Sequence, residues 1–562
     1  MVHVCTAVSS LVPLCAAAAA GKRPGSGSSA AVDSAAGNKK PSSKQPKQRG
    51  GNTFYDNAPT EQGSALQPMI TNSITQISDD SPTDRQELEE IVGEWGGSFN
   101  YIQVSAAFSK AAKLRSLRAA ESRPLLNQLA VMWDSLLPNA EPRQLANVLW
   151  ACGKLRYMNP QLWTSTLARY VQLLQNSKQD IPSQELSSAL HGMANVALAN
   201  RGVVPGMAAP AVEAEVREIV KLVCKCATHP FLEGVSPQAI SNTLWACAKL
   251  RINPGGAALD TLVRGMARPD MREAAEPQAL ANTLWAASEL QRRCGWQPAV
   301  KQQVWLQLLG EQQRLKIADR GTPIDVFDAA LAVMRLSTAG AADAAGLVIS
   351  QEFAQQCVLQ LLQGKVAQQL QLWDAQAIAN SMYACAQLRI CDARFLNDAA
   401  AFAHKWLPRA VALEVDQVAY ACKVLQYGNQ QLMAAVLQHS KRLLQQHVRP
   451  HESLLRCRLA AQVGCAVAAL DMQQLAGDVR ELVASSGVAR QRDAAASHDS
   501  DAGVLHASNV NAGLLGMLWD THPWLLQHQL LDGQGLAGLL SQQQLEAGRA
   551  AAAVFHAQTQ QL

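Results

Sequence analysis

From Pro277 to Leu290 the apolar residues Leu280, Leu284, Ala287 and Leu290 fall three and four residues apart, the spacing that lines one side of an α-helix. Pro277 suits the first turn of that helix, because its missing N–H has no partner to lose there and its φ already fits. Ala281, Ala286 and Ala287 let a neighbouring helix approach closely, and Trp285 stands beside the stripe, where it fills the gap to the next unit. The same pattern runs from Pro237 to Leu250 (PQAISNTLWACAKL), from Pro142 to Leu155 (PRQLANVLWACGKL) and from Ala375 to Leu388 (AQAIANSMYACAQL). A turn follows, as at Arg251 to Gly256, and then a second amphipathic run, Leu259, Leu262, Val263 and Met266. The first copy has the same shape, with Asn159-Pro160 leading into Leu162, Leu167, Val171 and Leu174. Each unit is thus a predicted helical hairpin.

Fainter copies cover Pro182 to Val196, Pro323 to Leu336 and Ala412 to Leu425, with His191, Leu331 and Tyr420 in the aromatic position. The aromatic positions 150, 191, 245, 285, 331, 383 and 420 are 37 to 54 residues apart. Extra length between units falls in loops, where it costs little. A unit recurring at this interval buries its apolar face only against its neighbours. The expected fold is all-α, an α-solenoid of repeated helical hairpins over residues 86–475, and extended binding is the function such a surface serves.

Composition changes this picture mainly at the ends. Residues 1–50 carry seven Lys/Arg and one acid, Asp33, among many Ala and Ser, which reads as a disordered, transit peptide-like leader for an organelle. Its apolar stretch, Leu11 to Ala20, is too short to span a bilayer. Residues 51–85 read as a disordered linker, 486–503 as a polar linker and 504–562 as a C-terminal helical segment. The whole chain has a net charge of +4 and its first fifty residues contribute +6, so the remainder is −2. Bulk attraction for nucleic acid is therefore missing, and any such contact depends on where individual Lys and Arg lie. Cys152, Cys247, Cys385 and Cys422 share one repeat position, where they read as small core residues rather than disulfide partners. Cys224 and Cys226 with His229 fall short of a zinc spacing.

The phrase Leu280-Ala-Asn-Thr-Leu-Trp-Ala286, with Leu145 to Ala151 and Ile378 to Ala384, resembles the signature of octotricopeptide repeat proteins. Gly97 to Leu114 is similar to the segment that opens such arrays. The resemblance implies an α-solenoid that binds organelle transcripts, mostly in chloroplasts of green algae (the alternative compartment being the mitochondrion), and governs their stability, processing or translation. The partner it implies is single-stranded organelle RNA, with other proteins of a ribonucleoprotein complex beside it and no membrane span. Ser188, Asp328 and Gln417 depart from the pattern, standing where Asn282 stands. Many relatives also end in a small α/β module, the RAP domain, which is not legible in this chain.

In helical repeat readers, successive units each present two or three side chains to one base. The candidates at the start of the motif helix are Arg143, Gln144, Gln184, Gln238, Gln278, Asp325 and Gln376. Gln and Arg offer the paired donors and acceptors that base edges require; the same positions also read as solvated surface. Lys154, Arg156, Lys249, Arg251 and Arg389 put a cation at the motif helix's end, which suits the helix dipole and also a row of phosphates. Asn147, Asn242, Asn282 and Asn380 recur unchanged and read as structural amides that satisfy a neighbouring turn's backbone. Trp150, Trp245, Trp285 and Tyr383 read as packing residues, with base stacking as the other role open to them. The chain lacks a Gly-rich phosphate loop, a His-Glu-x-x-His helix, a Gly-x-Ser-x-Gly elbow and paired zinc ligands. The reading is accordingly non-enzymatic, with no cofactor and no metal; a protein-binding α-solenoid scaffold is the alternative.

Overall fold

The computed structural model describes residues 66–79, 83–114, 123–176, 183–199, 235–338, 349–445 and 453–485. The leader, the segments expected over 486–503 and 504–562, and the Cys224, Cys226 and His229 group lie outside the described residues. The described residues are mostly α-helical, with no strand among them, and none of their helices is long and apolar enough to cross a membrane.

In chain order the α-helices are α1 (Leu66–Gln76), α2 (Asp84–Trp95), α3 (Tyr101–Ala111), α4 (Arg123–Leu136), α5 (Pro142–Leu155), α6 (Pro160–Asn176) and α7 (Ser183–Ala199). There follow α8 (Pro237–Leu250), α9 (Gly256–Met266), α10 (Pro269–Ala274), α11 (Pro277–Cys294), α12 (Gln302–Leu308), α13 (Glu311–Arg320), α14 (Pro323–Thr338) and α15 (Gln351–Gln363). The last are α16 (Ala375–Gln387), α17 (Ala393–Ala401), α18 (Ala403–Trp406), α19 (Ala412–Val424), α20 (Gln430–Gln445), α21 (Ser453–Ala469) and α22 (Ala476–Ser485).

The motif helices form a row in which each packs on the next: α5 on α7, α7 on α8, α8 on α11, α11 on α14, α14 on α16 and α16 on α19. The row extends through α3 to α1 at one end and through α21 at the other. Behind it lie partner helices, α6 against α5, α9 against α8, α15 against α14, α20 against α19 and α22 against α21. One apolar core runs through both sets, from Ile70 to Leu482.

Small residues set the row's spacing. A Cβ on Gly192 would lie 2.3 Å from the Leu149 carbonyl oxygen, and one on Gly153 would lie 2.5 Å from the Gly192 oxygen. Helices α5 and α7 thus touch backbone to backbone.

The ends of the motif helices also repeat. Pro142, Pro237 and Pro277 occupy the first turn, and the Ser236 and Asp374 side chains accept the N–H of Ala239 and Ala377. At the other end Arg156, Arg251, Arg389, Gln426 and Asp471 take left-handed backbone, with φ between 48° and 57°. The N–H of the next residue then donates five residues back: Tyr157 to Cys152, Ile252 to Cys247, Ile390 to Cys385, Tyr427 to Cys422 and Met472 to Val467. Left-handed backbone at a non-glycine costs about 1–2 kcal/mol. The hydrogen bond and the burial of Tyr157, Ile252, Ile390 and Met472 offset it, as in a Schellman ending. The same ending on α21 identifies a further copy of the unit, with Cys465 in the aromatic position.

Two expectations are corrected here. The stretch 51–85, read as disordered, contains α1, because Leu66, Ile70 and Ile74 lie four residues apart and Ile70 and Ile74 bury against the core. The polar Ser, Thr and Asn residues between them obscure that stripe in the sequence. Helix α11 also continues past Leu290 to Cys294, and Gly295 takes the left-handed position in place of residue 291.

Candidate functional site

At 3.6 residues per turn, Trp285 points about 100–160° away from Leu280, Leu284, Ala287 and Leu290. It is next to the stripe in sequence and nearly opposite to it on the helix, yet it packs partly buried against the core beside Lys249 of the neighbouring helix. Trp133, Trp163, Trp296, Trp305 and Trp406 are fully buried, and none belongs to the repeat signature. Trp150, Trp245, Trp285, Tyr383 and Tyr420 are half-buried, packed against the core along one edge.

Positions seven and three residues before the aromatic, and four after it, project within about 60° of it. They make one face on every motif helix: Arg143, Asn147, Trp150 and Lys154 on α5; Gln184, Ser188, His191 and Asn195 on α7; Gln238, Asn242, Trp245 and Lys249 on α8. The series continues with Gln278, Asn282, Trp285 and Glu289 on α11, Ile324, Asp328, Leu331 and Arg335 on α14, and Gln376, Asn380, Tyr383 and Gln387 on α16. On α19 it is Leu413, Gln417, Tyr420 and Val424.

These side chains touch along the row. The Lys154 ammonium lies 5.1 Å from the centre of the Trp150 ring. That of Lys249 lies 5.3 Å from Trp245 and 4.2 Å from Trp285, bridging two helices. The His191 and Trp245 rings are 4.9 Å apart, and those of Tyr383 and Tyr420 5.6 Å. Gln387 Nε2 donates to the Tyr420 hydroxyl at 3.0 Å. Burial keeps the His191 ring below the usual imidazole range, so it is neutral at pH 7.

Two of the repeated asparagines, Asn242 and Asn380, bond along this face rather than to a turn's backbone. Asn242 Oδ1 accepts from Gln238 Nε2 at 2.8 Å, and Asn380 Oδ1 accepts from Gln417 Nε2 of the next helix at 3.1 Å. Their register places them beside the aromatic, out of reach of the helix ends.

At the middle of the row the face becomes an ion network. Glu289 is only 4% exposed, and its carboxylate pairs with Arg292 at 3.0 Å, Arg293 at 2.6 Å and Arg335 of α14. Burial pushes its pKa up, but these three guanidiniums pull it further down, to below the ordinary glutamate range. Asp328, half-buried beside Lys249 and Arg335, is pushed up to about 7 by loss of hydration.

Of the candidates near the helix start, Arg143, Gln184, Gln238, Gln278 and Gln376 lie on this face, half-buried or exposed. Gln144 and Asp325 do not, since they stand one residue further along and so about 100° around the helix. Both are buried, and Asp325 Oδ2 accepts from the Thr322 N–H and hydroxyl at 2.7 and 2.9 Å, closing the start of α14. Lys154 and Lys249 lie on the face. Arg156, Arg251 and Arg389 end the helices beyond it, exposed, and Arg389 donates to the Val424 carbonyl at 3.2 Å. Asn195, Glu289, Arg335 and Gln387 were not singled out from sequence; their signal is the four-residue step past the aromatic position. Nor was Lys113, in the turn that follows α3. The thiols of Cys152 and Cys422 are buried behind the face and pushed up to about 12 by that burial, so they are not thiolates.

No family model matches the chain, and no curated protein matches it.

Proposed function

We propose that this chain is an α-solenoid that binds single-stranded RNA in an organelle and thereby controls a transcript's stability, processing or translation. One observation carries the reading. The repeat-signature rings Trp150, Trp245, Trp285, Tyr383 and Tyr420 are half-exposed on a face they share with amides and cations, while Trp133, Trp163, Trp296, Trp305, Trp373 and Trp406, outside the signature, are sealed in the core. Rings presented at regular intervals suit base stacking, and the flanking Gln, Asn and Arg side chains carry the donors and acceptors that base edges need. About seven units, at one base per unit, correspond to a footprint of a few to about seven nucleotides. Covering such a stretch would block an exonuclease or hold a ribosome site unpaired. The basic, acid-poor first fifty residues support import into an organelle, with the chloroplast favoured by the resemblance of the repeat.

The test is to crosslink the tagged protein in cells and sequence the RNA that copurifies through a denaturing wash. One sharp peak on an organelle transcript is the expected result and names target and compartment together. RNA no higher than in an untagged control, with stable protein partners instead, would replace this reading by that of a protein-binding scaffold, which the −2 charge of the body would suit.

A further inference from the structure

Charge is unevenly distributed along the aromatic face. Lys113, which precedes Leu114 as Lys154 precedes Leu155, Arg143, Lys154 and Lys249 all lie before Trp285. Lys113 and Lys154 are exposed, Arg143 and Lys249 half-buried. Near the far end of this stretch Asp79 pairs with Lys110 at 2.7 Å and lies close enough to Lys113 and Lys154 for their charges to hold its carboxyl down, after the Lys110 hydrogen bond. Glu185, near Arg143, is pushed up to about 7 by burial and so is about half ionised at neutral pH. From Glu289 onward the balance changes. Glu289 engages the Arg292, Arg293 and Arg335 guanidiniums, and Asp328 adds a carboxyl that is about half ionised at neutral pH. Beyond them, Gln376, Asn380, Tyr383, Gln387, Gln417 and Tyr420 carry no charge.

Resting on the RNA reading above, we infer that the phosphodiester backbone is held by Lys113, Arg143, Lys154 and Lys249, and that phosphate contact ends at Asp328. The strand's phosphates follow the half of the row from α3 to α11, with Trp150, Trp245 and Trp285 as its stacking surfaces. Lys249 is placed for both tasks, its ammonium 5.3 Å from the Trp245 ring and 4.2 Å from that of Trp285. The Tyr383 and Tyr420 end takes no phosphate, since the guanidiniums before it are held by Glu289 and the Lys423 ammonium donates to Cys465 Sγ at 2.8 Å. An acidic peptide would meet the same cations, but it has no use for flat rings repeated helix by helix, whereas every nucleobase does.

Each phosphate neutralised on a single strand contributes about 0.7 to the slope of log affinity against log salt. Four contacts give a slope of about −3, or roughly a 50-fold loss of affinity between about 50 and about 200 mM salt. The experiment is a fluorescence-anisotropy titration of the full chain with a fluorescein-labelled, random-sequence single-stranded RNA pool about 20 nucleotides long. Lys154→Gln with Lys249→Gln is expected to weaken binding and flatten the slope by about 1.4. Lys154→Arg with Lys249→Arg is expected to restore both. Trp285→Ala is expected to weaken binding at unchanged slope, and Tyr383→Ala with Tyr420→Ala to leave the slope unaltered. Lys154→Gln alone, at an exposed site, serves should the double variant not fold.

A slope indifferent to the lysines would overturn the inference, as would a tyrosine pair that flattens the slope as much as the lysine pair. So would failure to bind the pool, or equal binding of a labelled polyglutamate peptide with no effect of Trp285→Ala. A tyrosine-dependent, salt-insensitive complex would leave the RNA reading standing, whereas loss of RNA in the cellular crosslinking experiment removes it, so the two failures are separable.

Discussion

Gly192→Ala is the sharpest test of the close-packed row. Alanine favours a helix interior by about 1 kcal/mol over glycine, so on helix propensity alone the change stabilises α7. The new Cβ, however, would lie 2.3 Å from the Leu149 carbonyl oxygen and 2.7 Å from the Trp150 Cα. These are backbone atoms of α5, which no rotamer change moves aside, so the two helices must part by about 1 Å. Overpacking of this kind costs about 1–3 kcal/mol, and an obstruction made of backbone belongs at the upper end. The expected net effect is a loss of about 1–2 kcal/mol where α5 meets α7. In an array the loss is local, because each unit is coupled mainly to its neighbours. Amide hydrogen exchange is therefore the assay, with protection in α5 and α7 expected to fall about tenfold and that in α20 to be unchanged. Gly93→Ala is the control, since Gly93 is helical and nothing lies within 4 Å of its Cβ position. There protection of α2 is expected to rise, by up to about 1 kcal/mol. If Gly192→Ala raised protection as Gly93→Ala does, the backbone contact between α5 and α7 would be wrong.

Glu289→Gln leaves three guanidiniums facing a neutral amide in a buried site; a cost of about 3 kcal/mol is expected, read as a lower midpoint in thermal unfolding. Because the Glu289 pKa is below its unfolded value, its contribution is present above about pH 4.3 and is lost as pH falls through the folded pKa. The Gln variant is expected to show less of that acid sensitivity. Asp328 has the opposite sign. Its carboxyl is pushed up to about 7, so the folded chain binds a proton that the unfolded chain has released, and stability falls as pH rises from about 4 to about 7. Asp328→Asn is expected to remove that slope and to raise the melting temperature at pH 8. Brief iodoacetamide treatment followed by peptide mapping is expected to label exposed Cys391 and to spare Cys152, Cys247, Cys385 and Cys422, all buried; labelling of these four in the folded chain would contradict their place in the core.

The helical repeat was open to reading because its determinants are local. Pro142, Pro237 and Pro277 start helices whatever surrounds them, and the step of three and four residues between leucines needs no knowledge of a partner. The bounds of α5 and α8 accordingly coincide with the repeated segments. Harder to read was α21, whose aromatic position holds Cys465; its membership rests on the left-handed Asp471 and the bond from Met472 to Val467, which are backbone features. Helix α1 was hidden for a related reason, since its polar residues outweigh a stripe of isoleucines that becomes decisive only when α3 lies against it.

The chain by itself determined the all-helical character, the unit and the chemistry available in each copy, because hydrophobic periodicity and capping act over a few residues. Tertiary structure decided which of those residues share a face. Trp285 and Leu284 are neighbours in the chain, yet only the packing of α11 between α8 and α14 leaves the indole half-exposed and the leucine sealed. The position of Lys249 between Trp245 and Trp285, and the pairing of Glu289 with Arg335, likewise join helices forty or more residues apart. Such contacts depend on the spacing and rotation of one helix against the next, quantities that small residues such as Gly153 and Gly192 set in three dimensions and that no local pattern encodes.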